Sequence, residues 1–278
     1  MELKSIALFF NSKRETCSKA AKDLKASLEK EHIKTKILPY DNLKINQNFD
    51  LIFSLGGDGS LLKIVRKSAH RKIKILGLNF GHLGFLTYGK QTGLKELLKA
   101  LKADKFCLHE RALIDVQVIR NKKVVFKGIA LNECTIKSNK ARAIHLNTFY
   151  EKSELKEYFA DGLMLCTPTG STAYNLAAGG PIIHPSTPAV VLTPVAPGSL
   201  SVRPMVLSLS SKKLQMKSAA DKTLDLVFDG RTTVALKPTD VVTLVESKLV
   251  TTFIRLKHTG FVGALREKLG WTGKPRQV

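Results

Sequence analysis

Along residues 1–108, short apolar runs at Ile6–Phe10, Lys36–Leu38, Leu51–Leu55 and Ile73–Leu78 alternate with amphipathic stretches at Glu15–Lys30, Ser60–Ser68 and Thr92–Leu101. The runs predict strands and the stretches predict helices, and this alternation predicts a mostly parallel sheet in an α/β domain. From Arg111 the rhythm changes to strands alone. Expected strands are Ala112–Arg120, Lys123–Phe126, Ile129–Ile136, Ile144–Tyr150, Leu163–Cys166, Val190–Thr193, Met205–Leu209, Leu224–Phe228, Thr232–Leu236, Val241–Val245 and Val250–Leu256. A β-rich domain over 109–256 is therefore expected, interrupted mainly by a short helix after Ser171. Residues 257–278, with Phe261, Val262, Leu265 and Leu269 at helical spacing, predict a C-terminal helix.

Two loops carry the candidate chemistry. Gly56-Gly57-Asp58-Gly59 follows the apolar run Leu51–Leu55 and precedes an amphipathic stretch, so it reads as strand, tight turn, helix. Glycines let the backbone approach phosphates closely, and Asp58 falls at the carboxyl end of a strand, where open α/β sheets bind ligands. The loop has neither the Lys-Ser/Thr ending of a P-loop nor the spacing of a dinucleotide fingerprint. The second loop lies in the run Asp161–Pro181, where a glycine-and-hydroxyl turn leads into a short helix stopped by Gly179, Gly180 and Pro181. Ser171 and Thr172 stand at the expected helix start, where backbone N–H groups and hydroxyls would face an anionic ligand.

The blocks Gly56–Gly59, Gly77-Leu78-Asn79, Gly81–Leu86, Asn132-Glu133, Asp161–Pro181 and Asp229-Gly230 resemble, in order and over almost the whole chain, the NAD kinase family. The glycine-aspartate loop alone is shared with diacylglycerol-type lipid kinases and phosphofructokinases. The Thr167–Pro181 block with an upstream Asn-Glu pair is more selective. The resemblance implies transfer of a γ-phosphoryl group from ATP, or from polyphosphate, to the 2′-hydroxyl of the adenosine ribose of NAD, with Mg²⁺ as the divalent cation. It also implies packing of the C-terminal helix on the first domain and a homodimer or homotetramer.

The same resemblance assigns residues. Asp58 is the catalytic carboxylate, as base or as orienter of Mg²⁺ on the phosphates, within the phosphate loop Gly56, Gly57 and Gly59. Lys63 matches a basic position near the ligand. Asn132 and Glu133, taken to close a strand, hold ribose and amide groups of the dinucleotide. Arg142 matches a further basic position, and Asp161 accepts from a polar group of the substrate. Thr172, Ala173, Tyr174, Asn175, Leu176 and Ala177 line the dinucleotide, and Ala196 borders the adenine. Ala177 stands where serine is frequent. The chain departs from the family at Phe159, where relatives carry Arg or Lys, and Arg231 would bring a replacement cation.

Charge and cysteines narrow the setting. Forty-five Lys and Arg against 23 Asp and Glu give a formal charge of +22, which suits nucleotides and polyphosphates. The basic residues are dispersed, with no arginine-rich stripe, so no specific nucleic-acid partner is expected. Cys17, Cys107, Cys134 and Cys166 are far apart, with no Cys-x-x-Cys pair or His cluster at metal-ligand spacing, so no protein-bound metal is expected and the cysteines read as reduced thiols. No run of about 18 apolar residues occurs and the first apolar run is shorter than a signal core, so a cytoplasmic protein free of membranes is expected. His109, His184 and His258 read as structural.

Overall fold

The computed structural model describes residues 3–40, 45–79, 84–87, 94–140, 142–219, 223–255 and 260–271. The chain divides into two compact units, residues 1–110 with 251–278, and residues 111–250. The return to the first unit at Thr251 falls inside the last strand, several residues ahead of the expected start at 257.

In the first unit, β1 (Ser5–Phe10) pairs in parallel with β2 (Lys34–Pro39) and β3 (Leu51–Leu55), and β3 pairs in parallel with β4 (Lys74–Leu78). The end of β15 (Val241–Arg255) adds a fifth parallel strand through Phe253 opposite Ile75. Parallel strands covered on both faces need continuous apolar runs, and β3 is buried at all five positions. Helix α1 (Glu15–Lys30) buries Cys17, Ala21, Leu24 and Leu28, one stripe at helical spacing. With α2 (Asp58–Ser68), α3 (Leu94–Lys102) and α5 (Phe261–Leu269) it completes the α/β unit. The core includes Ile6, Leu8, Leu24, Phe53, Leu55, Leu76, Leu98 and Ile254. The Gly81-His82-Leu83 part of the third block, Thr92 and His258 lie outside the described residues.

The second unit is built on antiparallel pairs. β14 (Thr232–Leu236) pairs with β13 (Leu224–Phe228), which pairs with β7 (Glu133–Ser138), and β7 pairs with the long β9 (Ser153–Cys166). The ladder continues through β8 (Ile144–Tyr150) and β12 (Lys213–Ser218) to the first part of β15. β10 (Val190–Pro197) pairs with β9 and with β11 (Met205–Leu207), and β5 (Cys107–Arg120) pairs with β6 (Lys123–Ala130). At the C-terminal end of β9, residues 162–166, both faces are buried. Leu163 and Leu165 enter the main core, while Met164 and Cys166 pack with Val191, Ala178 and Ile183 beneath the second loop.

Four expectations are corrected. Residues 129–136 are not one strand: the ladder breaks at Leu131 and Asn132, so Asn132 and Glu133 precede and open β7 instead of closing a strand. Helix α2 begins at Asp58, two residues ahead of Ser60. β12, whose Leu214 and Met216 are buried between exposed and half-buried neighbours, carries a strand pattern that polar residues made easy to overlook. The runs 241–245 and 250–255 belong to one strand, β15, and Leu256, the last residue of the expected run, lies outside the described residues.

Candidate active site

In the first unit, the turn after β3 is tied to the neighbouring strand, because Gly56 N donates to Leu78 O at 2.9 Å. Gly57 caps α2, so Asp58 stands in the first turn, where a helix favours negative charge. The carboxylate holds the Gly84–Thr87 segment. Phe85 N donates to Oδ2 at 2.7 Å, while Leu86 N, Thr87 N and the Thr87 hydroxyl donate to Oδ1 at 3.2, 3.1 and 3.1 Å. Gly84 is required by this approach, since a Cβ there would stand 1.7 Å from Asp58 Oδ1. A carboxylate offers about four lone-pair sites; Oδ2 accepts one bond among the described residues and keeps acceptor capacity. Behind the loop the buried Tyr40 hydroxyl bonds Ser54 Oγ at 2.7 Å, and burial pushes its pKa up to about 12. Lys63, one turn into α2, is half-buried.

In the second unit, the break between β6 and β7 exposes three backbone N–H groups, and Asp229 collects them. Its Oδ1 accepts from Leu131 N at 3.1 Å, Asn132 N at 2.8 Å and Glu133 N at 3.3 Å. Asp229 can reach back because it and Gly230 adopt left-handed conformations (φ 47° and 61°) at the β13–β14 turn. Thr167 closes the other side: its N–H donates to Asn132 O at 2.8 Å and its hydroxyl to Leu131 O at 2.6 Å. A Cβ on Gly170 would stand 2.2 Å from Asn132 O.

These bonds use backbone atoms and leave the side chains over. Asn132 Oδ1 and Glu133 Oε2 are buried with no hydrogen-bond partner among the described residues. Glu133 is 4% exposed, and burial followed by the Asp229 charge pushes its pKa up to about 8, so the free protein holds it protonated at neutral pH. Buried polar atoms without partners are costly unless a ligand supplies them.

The Thr167–Pro181 loop differs from the expected ligand-facing helix start. The helix, α4 (Tyr174–Ala177), is a single turn preceded by a 3-10 turn at Gly170–Thr172. The Ser171 hydroxyl is fully buried, donating to Pro168 O at 2.7 Å and accepting from Ile183 N at 3.0 Å. Asn175 is equally internal. Its Nδ2 donates to Ser171 O and Pro181 O at 3.2 and 3.0 Å, and its Oδ1 accepts from the Thr193 hydroxyl at 2.6 Å. These two side chains build the loop instead of facing an anion, whereas Thr172, Ala173 and Leu176 are half-buried and Tyr174 and Ala177 exposed.

Asp161 and Ala196 come together across strands: Asp161 lies between Ala160 and Gly162, and Ala196 (φ 45°) between their partners Pro197 and Val195. Arg142 and Arg231 are exposed. The Phe159 ring packs at a tilt of 34° on His145 with centroids 4.6 Å apart, and a Cβ on Gly198 would meet it at 2.4 Å, so packing accounts for the aromatic residue there. Asp229, Thr167, Gly84 and Thr87 hold the candidate site residues in place and were given no role from sequence. Asp229 was visible as an Asp-Gly turn signal, but its capping of residues almost a hundred positions away was not. Among the described residues no group of three or more His, Cys, Asp or Glu could hold a metal ion, and the four cysteines form no disulfide.

The sequence pattern of the ATP-NAD kinase N-terminal domain matches residues 6–106, and that of the C-terminal domain matches residues 131–256. The chain belongs to the NAD kinase family. It is 34% identical to the NAD kinase of Treponema denticola over 277 residues, 98% of each chain. It is 39% identical to that of Desulforamulus reducens over 222 residues, 79% of this chain and 77% of the relative. Among solved structures, the yeast NADH kinase complexed with NADH shares the fold with a TM-score of 0.90 at 21% identity, covering 99% of this chain and 90% of the yeast one. The NAD kinase from Archaeoglobus fulgidus in complex with ATP matches with a TM-score of 0.75 at 25% identity, covering 96% and 97%.

Proposed function

We propose that the chain is an NAD kinase, transferring the γ-phosphoryl group of ATP or polyphosphate to the 2′-hydroxyl of the adenosine ribose of NAD to give NADP. The observation that carries this reading is the pair of buried side-chain oxygens without a partner among the described residues, Asn132 Oδ1 and Glu133 Oε2, in a chain that also bears the Asp58 loop of its family. A polar dinucleotide supplies hydrogen-bond partners to both groups, a donor to Asn132 Oδ1 and a partner to the neutral Glu133 carboxyl; an acylglycerol acceptor does not.

In this reading the Gly56–Gly59 loop lies against donor phosphates. Ribose O2′ attacks the γ-phosphorus, the bond to the departing nucleoside diphosphate breaks, and the hydroxyl proton passes to Asp58 Oδ2. Phosphoryl transfer relies on position and charge neutralisation more than on covalent chemistry, so Asp58 gains much from being fixed through Thr87 and Leu86 at its other oxygen. Lys63, Arg142 and Arg231 add positive charge for phosphates, Asp161 accepts from the substrate, and Thr172 to Ala177 with Ala196 border the dinucleotide. Mg²⁺ arrives with the triphosphate as part of the substrate. We place the protein in the cytoplasm as a homodimer or homotetramer; it is supported by the lack, among the described residues, of a helix long and apolar enough to cross a membrane, and by exposed apolar residues considered below.

Incubation with NAD, ATP and Mg²⁺ and mass measurement of the product tests the reading, with diacylglycerol and fructose 6-phosphate as competing acceptors. One phosphate added to NAD is expected. No phosphate on NAD from either ATP or polyphosphate overturns it. Asp58→Asn should lower kcat by roughly 10²–10⁴ while NAD affinity changes little, the usual worth of a positioned base; turnover within a few-fold of the parent would remove Asp58 as proton acceptor.

A further inference from the structure

Phe85 is held from three directions within the first unit. Its N–H donates to Asp58 Oδ2 at 2.7 Å, its carbonyl accepts from Arg255 Nη2, and its ring lies 4.2 Å from Lys268 Nζ. Arg255 closes β15 and is 8% exposed, and Lys268 stands in the last turn of α5. Two cations from the C-terminal segment thus converge on the residue that touches the catalytic carboxylate, and both feel its charge.

The two differ in what they do there. Arg255 gives an N–H to a backbone carbonyl and so fixes Phe85. Lys268 gives none of its three N–H donors to an oxygen among the described residues; its neighbours are a π face and the fields of Asp58 and Glu267. Burial pulls its pKa down, with those two carboxylates opposing. An ammonium partly out of water and without an oxygen acceptor is poised for an anion, and a phosphate oxygen makes a stronger partner than an aromatic face. The anion available at this loop is the polyphosphate chain of the phosphoryl donor.

We propose that Lys268 binds phosphate oxygens of the donor, which makes the C-terminal helix part of the donor site beside Asp58, with Arg255 as a positioning residue acting through Phe85. The inference rests on the kinase reading for its ligand. Lys268 leaves the ring for the incoming phosphate, and Phe85 stays in place because its backbone is held at both ends.

Calorimetric titration of the full chain with Mg-ATP, and separately with tripolyphosphate, tests this on the parent, Lys268→Met and Lys268→Arg. Methionine keeps an unbranched stem over Phe85 and removes the charge. Loss of a charge-assisted bond to phosphate should weaken binding of both ligands by about 10- to 100-fold. Arginine should restore affinity to within about fivefold, since it also donates to phosphate. NAD affinity should stay within about twofold and melting temperature within a few degrees, because the change removes one charge and no buried apolar surface. ATP binding by Lys268→Met equal to the parent overturns the proposal. So does a parallel loss of ATP affinity, NAD affinity and melting temperature, the signature of a loosened helix. A parent that binds ATP but never phosphorylates NAD defeats the kinase reading, while the comparison of the three proteins still decides what Lys268 does.

Discussion

Glu133 shows how a single side chain can link ligand chemistry to stability. Its carboxyl is neutral in the free protein because it is buried beside Asp229, and its pKa rises from an ordinary value of 4.5 to about 8. Between those values the folded chain holds a proton that the unfolded chain has released. The sign follows: the contribution to stability is fully present below pH 4.5 and is lost as pH rises through 8, with a slope of at most about 1.4 kcal/mol per pH unit. Glu133→Gln, neutral throughout, should remove this dependence and be more stable than the parent at pH 8. Urea unfolding of both proteins at several values from pH 5 to 8 checks it; a difference that stays constant with pH would show that Glu133 does not titrate in this window. The residue type was legible in the sequence because an Asn-Glu pair beside an apolar run is conspicuous. Its protonation was not, because that depends first on burial in the folded unit and then on Asp229, brought near by a turn almost a hundred residues away.

At the scale of elements, the turns and the strong periodicities were the legible part. β3, α1 and β8 have the bounds that their patterns predict, since each has an uninterrupted apolar signal and clear ends. The break at Leu131–Asn132 was hidden because apolar residues on both sides of the Asn-Glu pair read as one strand and give no hint that the N–H groups there will leave the ladder and find a carboxylate. Likewise Ser171 and Asn175 sit in a sequence that reads as a ligand loop, yet their polar atoms bond within it and to Thr193 of β10. Asp229 is the element-scale test. Asp229→Ala leaves the N–H groups of residues 131–133 without their acceptor and should cost about 2–4 kcal/mol, from several buried donors at about 1 kcal/mol or more each. Asp229→Asn keeps one acceptor and should cost roughly half as much. Denaturant midpoints measure the difference, and NAD titration should show weaker binding in the alanine variant. Equal stability of alanine variant and parent would mean that water replaces the cap without loss.

At the scale of the whole molecule, the change from alternating helix and strand to strand alone gave the two units, but not the return of the chain to the first one within β15, because the pattern along that strand does not change at Thr251. The formal charge of +22 makes the chain repel itself and favours polyanionic ligands, so added salt should weaken ATP more than it weakens NAD. Assembly belongs to the same scale. β11 pairs with β10 alone among the described strands, and an open edge invites a further strand. Val206 within β11 is half-exposed and Leu200, just ahead of it in the chain, is 91% exposed, apolar surface that a monomer gains nothing by presenting to water. A second copy meeting this edge would cover both and pair the strand, consistent with the homo-oligomer proposed above. Leu200→Glu combined with Val206→Lys places charges in such a contact while leaving the buried Val191 and Leu192 of β10 untouched. Sedimentation velocity should find the parent as a dimer or larger and the double variant shifted toward monomer at the same concentration, with the fold preserved by circular dichroism. A parent that sediments as a monomer defeats the assembly, and a double variant that associates as the parent does moves the contact elsewhere on the surface.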